Sequence, residues 1–166
     1  MSEQHTPTNG PRFHPGMPLP HGNSAVVKNL LEERPSATAR ADALEGMRVY
    51  SPKLPVDPSS LTWLGPPDAL GGEVLSGEPR LYGRFDFRGG NMAAGLFMAT
   101  TGLIRVTFPF TEHATILEGE VTLTDESGRT QSFKAGDSYF IRQNQVILWE
   151  VRGKHVVKSF FNIMEQ

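Results

Sequence analysis

The sequence predicts an all-β fold, an antiparallel barrel or jelly roll, in the second half of the chain. Three observations carry this. From about residue 80 to 162, short β-rich runs recur at roughly 8–12-residue spacing, divided by turn residues. None of these runs shows a helical period. Where a run is half polar, as in Val121-Thr122-Leu123-Thr124, apolar and polar residues alternate as they do in a strand buried on one face.

In order along the chain, residues 1–60 hold nine of the 13 prolines and three of the five histidines. Residues 1–23 have little to bury and are expected to form a disordered or surface-draped tail. "SAVVKNLLEERP" has Ser24 as N-cap, Val26, Val27, Leu30 and Leu31 on one face, and Pro35 as terminator. It predicts a short helix in an arm over 24–60. "SATARADALEG" adds a turn or two ending on Gly46. His5, His14 and His21 lie in the proline-broken tail and read as solvated side chains rather than a metal cluster. The barrel is assigned to 61–166. Its runs are "RLYGRFDFR", turn "GGN", "MAAGLFMA", turn "TTG", "LIRVTF" up to Pro109, "HATILEGEVTLT", turn "DESG", "RTQSFK", turn "AGD", "SYFIR", "QVILWEV", turn "RGK" and "HVVKSFFNI".

Bulk properties narrow the function. A net charge of −2 and a pI near 6.2 argue against nucleic acid or an anionic membrane as partner. With no cysteine, disulfides, thiolate metal sites and cysteine nucleophiles are excluded. The N-terminus has no basic stretch leading into an apolar run, and no segment reaches the roughly 18 apolar residues of a membrane span. A cytoplasmic protein is expected. "GGNMAAG" lacks the strand-loop-helix setting of a dinucleotide fingerprint, and there is neither a P-loop nor a G-x-S-x-G elbow.

"EHATILEGEVTLTDESG", followed by "FKAGDSYFIRQNQVILWEV", resembles the two sequence motifs of the cupin superfamily. The likeness is closest to the branch containing ureidoglycine aminohydrolase and the ethanolamine-utilisation cupin, and it spans about residues 80–162. It implies a single cupin barrel, a double-stranded β-helix, with an N-terminal extension, assembled as a homodimer. In metal-bound cupins the first motif supplies two histidines and a glutamate, and the second motif one histidine. Glu112 stands at the glutamate position, seven residues before Gly119. The histidine positions fall on Arg105 and Thr107, or on Val106 and Phe108, and the last falls on Ile147. Arg142 and Asn144 replace the usual proline and glycine before it. One carboxylate does not hold a transition metal, which needs about three protein ligands, so neither metal nor other cofactor is expected.

The remaining candidates are read by alternation. Gln145, Ile147 and Trp149 share one face of their strand. Glu112, with Arg105, Gln145 and Trp149 as neighbours, is expected to line a ligand pocket. His113 should point to the opposite face from Glu112. The first reading is a metal-independent cupin binding a small polar or organic-acid-like molecule in an accessory or regulatory role. The alternative is an aminohydrolase-like enzyme of small nitrogen compounds, with Glu112 as acid/base or residual metal ligand. A third is a structural subunit in which Glu112 and an arginine form an ion pair in a filled barrel.

Overall fold

The computed structural model describes residues 47–165; the expected tail over 1–23 and helix over 24–35 lie outside them. Nine strands follow: β1 (Thr62–Gly65), β2 (Gly72–Gly77), β3 (Leu81–Gly89), β4 (Met92–Thr107), β5 (Thr111–Glu118), β6 (Glu120–Thr124), β7 (Thr130–Lys134), β8 (Ser138–Ile141) and β9 (Val146–Ile163). Every pairing is antiparallel. The expected all-β barrel is the observed architecture.

Two long strands organise it. The first part of β4 pairs with β3 and with the end of β9, and β5, β8 and β1 extend that half of the sheet. The later part of β4 pairs with β2 and with the start of β9, which carries β6 and β7. The halves meet where the β4–β9 register slips, from Thr100 opposite His155 to Gly102 opposite Val151. Both inner faces contribute to one core, including Leu81, Ile104, Ile116, Val121, Ile147 and Val156.

Two expected turns are corrected here. "TTG" and "RGK" do not end strands; they face each other at the slip as a bulge, bridged by the Thr101 hydroxyl donating to the Gly153 carbonyl at 2.5 Å. A bulge bends and twists a strand without ending it, which is how one strand serves both halves. Residues 62–77 also supply β1 and β2, ahead of where the strand pattern seemed to begin.

Gly119 separates β5 from β6 with φ of 74°, and a Cβ there would lie 2.1 Å from the His155 carbonyl oxygen. Only glycine fits both the left-handed backbone and the close approach. Val56 and Leu61 pack with Leu96, Leu117, Tyr82 and Met98, and the Val56 amide donates to Glu118 at 2.7 Å. The described end of the arm thus lies on its own barrel.

Candidate functional site

Alternation along β5 sends Glu112, Ala114 and Ile116 inward and leaves His113 exposed. Glu112 is 2% exposed. A charge so deep requires partners. They come from strands on either side of β5. Lys158 on β9 donates from Nζ to Glu112 Oε1 at 2.5 Å, and Tyr139 on β8 donates its hydroxyl to the same oxygen at 2.9 Å. Lys158 also donates to the Tyr139 oxygen at 2.9 Å. With its amide nitrogen turned to the carboxylate, Asn162 donates to Oε2 at 3.0 Å.

Lys158 is itself 2% exposed, and its ammonium lies 4.4 Å from the Trp149 ring and 4.9 Å from that of Phe97. Burial pushes the lysine below its ordinary value, against the opposing pull of Glu112. Burial, reinforced by the neighbouring carboxylate, pushes the Tyr139 phenol well up.

This cluster ends a cavity of ≈ 120 Å³ in the barrel. Apart from Glu112, Lys158 and Asn162 its walls are almost entirely apolar, with Leu81, Phe85, Phe97, Ile104, Phe108 and Trp149 among them. Trp149 is 7% exposed, and its buried Nε1–H has no acceptor among the described residues. Buried indole donors are normally satisfied, so this one is an unsatisfied polar atom beneath the cavity wall.

The expected neighbours divide. Glu112 and Trp149 line the cavity; Arg105 and Gln145 do not. Arg105 faces away from the cavity and pairs with Glu73 on β2. The one-residue register left open by the sequence resolves to Val106 and Phe108 inside. Gln145 is exposed in the turn before β9, where its Oε1 accepts the Arg142 amide at 2.7 Å. The counter-charge to Glu112 is therefore a lysine, not an arginine. Lys158, Tyr139 and Asn162 were missed. The one signal for Lys158 and Asn162 is the period-two set Val156, Lys158, Phe160, Asn162 on β9, and its opposite face, His155, Val157, Ser159, Phe161, is equally mixed.

The EutQ-like cupin domain family matches residues 87–160, the strands that carry this cluster. Over that stretch the chain matches a EutQ-like cupin domain, and the fold it forms is a cupin barrel. Among solved structures the chain is similar to a putative ethanolamine utilization protein Q from Salmonella typhimurium LT2, at 26% identity and TM-score 0.45, covering 54% of this chain and 72% of that one. EutQ of Clostridium difficile matches at 15% identity and TM-score 0.50, over 68% and 82% of the two chains. A DUF861-family protein of unknown function from Pseudomonas syringae pv. tomato matches at 23% and TM-score 0.55, over 61% of this chain and 43% of that one. These last two likenesses show the fold. No curated protein sequence matches the chain.

With Val106 and Phe108 facing inward, the motif resemblance puts the ligand positions of metal-bound cupins on Val106, Phe108, Glu112 and Ile147. Three of the four have no donor atom, and Glu112 is already turned to the Lys158 ammonium. No cluster of three histidines or carboxylates exists among the described residues. The donor set does not fit a divalent transition metal.

Proposed function

We propose that this cupin binds a small molecule inside its barrel without a metal, as a homodimer in an accessory or regulatory role. The observation that carries this reading is the cavity: apolar walls ending on a closed Glu112–Lys158–Tyr139 cluster beside an unpartnered Trp149 donor. Pockets for small ligands combine apolar walls with a few placed polar groups in this way. The volume of ≈ 120 Å³ is somewhat below that of an engineered cavity of about 150 Å³ that takes benzene. It suits a ligand of about six non-hydrogen atoms or fewer. With Arg105 and Gln145 outside, the ligand is better described as an apolar body with one polar group than as the strongly polar molecule expected at first.

Thermal-shift screening of small alcohols, acids, amides and carbonyl compounds tests the reading, alongside Ala99→Leu, which fills the cavity beside the cluster. Ligands should raise the Tm of the native chain and lose that effect in Ala99→Leu. A panel without effect on either protein would favour the filled-barrel reading. Elemental analysis after dialysis should give well under one equivalent of manganese, iron, nickel or zinc. Near-stoichiometric metal would overturn metal independence.

A further inference from the structure

Resting on the reading that the cavity takes a small molecule, we propose that Lys158 captures a small apolar aldehyde or ketone as an imine, with Glu112 and Tyr139 moving the protons. The amine, its carboxylate and a hydroxyl stand together, with Nζ 2.5 Å from Glu112 Oε1, 2.9 Å from the Tyr139 oxygen, and Tyr139 2.9 Å from Glu112. Lys158 and Glu112 both line the cavity, so the residue that carries the amine stands in its wall. A lysine desolvated in an apolar pocket is the usual form of a carbonyl-attacking amine, and burial lowers its proton affinity in that direction.

Charge selects the carbonyl among polar groups. A carboxylate would bring a second anion beside Glu112, and an ammonium a second cation beside Lys158; each repulsion is strong in a low-dielectric site. A carbonyl is neutral, offers its oxygen to the Tyr139 and Lys158 donors, and leaves the ion pair balanced. An alcohol fits sterically but gives the amine no electrophile.

The step balances. Lys158 ammonium passes one proton to Glu112, and the free amine adds to the carbonyl carbon, forming the C–N bond. A proton moves from nitrogen to the new alkoxide through the Tyr139 hydroxyl, giving a carbinolamine. Glu112 returns its proton to that hydroxyl, which leaves as water while the nitrogen lone pair closes C=N. The product is a protonated imine beside an ionised Glu112, with the same charge pairing as before. No oxidant or co-reactant is needed.

The full-length chain is treated with butanal and sodium borohydride, and separately with cyclopentanone and the same reductant, then read by intact mass and peptide mapping. Thermal shifts with the same carbonyl compounds are measured in parallel. One adduct per chain is expected, on Lys158, forming roughly tenfold or more faster than on the other four lysines. Tyr139→Phe should slow it by about 10²-fold while the thermal shift persists. The neutral double variant Glu112→Gln/Lys158→Met guards against misfolding of Lys158→Met alone and should give no cavity adduct. A thermal shift with no adduct, or adducts spread evenly over all lysines, would overturn imine formation and leave small-molecule binding standing. Neither shift nor adduct would sink both.

Discussion

The Lys158 ammonium supplies the counter-charge to Glu112 inside the barrel. It leaves the barrel electrically balanced without an ion, and it makes the pair interdependent. Glu112→Gln removes the partner of a buried cation and should cost roughly 3–5 kcal/mol in urea unfolding. Glu112→Gln/Lys158→Met removes both charges and should recover most of that loss, since a buried pair replaced by neutral residues is often near neutral in stability. Equal destabilisation in both variants would mean that packing, not charge, holds this region. The pair also shapes the alkaline limb of stability. The depressed Lys158 value makes stability rise with pH below the lysine's ordinary 10.5, and above it the lysine no longer distinguishes folded from unfolded chain. Tyr139 acts oppositely: raised above its ordinary 10.0, it contributes stability present below that value and lost as pH climbs beyond it. Urea midpoints should therefore fall as pH rises past 10.5, and fall less steeply in Tyr139→Phe.

At the scale of elements, the turn between β8 and β9 shows how a motif changes residue and keeps geometry. Asn144 stands at the family's glycine position and has φ of 71°, the only non-glycine positive φ among the described residues. Its amide donates to the Phe108 carbonyl at 2.7 Å, and the Phe108 amide donates to Gln145 at 2.9 Å, so the turn fixes Phe108 on the cavity wall. Asparagine tolerates the left-handed region better than other side chains. Asn144→Gly should change stability by less than about 0.5 kcal/mol, whereas Asn144→Val should lose about 1–2 kcal/mol. Similar chemical-denaturation midpoints for the two variants would show that the turn relaxes into another conformation.

On the whole molecule, β8, β5, β9, β4 and β3 bring Phe140, His113, Phe161, Ala94 and Phe87 into one row across the outer face. The three phenylalanines are well exposed, Phe140 by 63%. Residues 56–61 cover the neighbouring part of the same face and leave this row bare. In the proposed homodimer the row is a natural contact, since exposed aromatic surface is characteristic of interfaces. Light scattering should give twice the 18.3 kDa chain mass, and Phe140→Ser with Phe161→Ser should halve it. A native monomer at micromolar concentration would count against the dimer; a variant that stays dimeric would move the contact elsewhere.

Local information was enough for the strand content, the turn after β6, the glycine at 119 and the inward direction of Glu112, because alternation and turn chemistry act over a few residues. It was also enough to see that no histidine stands at the positions where the resemblance to metal-bound cupins calls for one. It did not reveal that "TTG" and "RGK" are two sides of one bulge, since that depends on which strands pair. Nor did it place Arg105 outside and Lys158 inside. Shifting a strand by one residue exchanges its two faces, and on β9 both faces mix polar with apolar residues, so composition does not choose between them. The choice comes from the neighbours: β5 fixes Glu112 inward, and burying that carboxylate favours the register that brings an ammonium, a phenol and an amide to meet it.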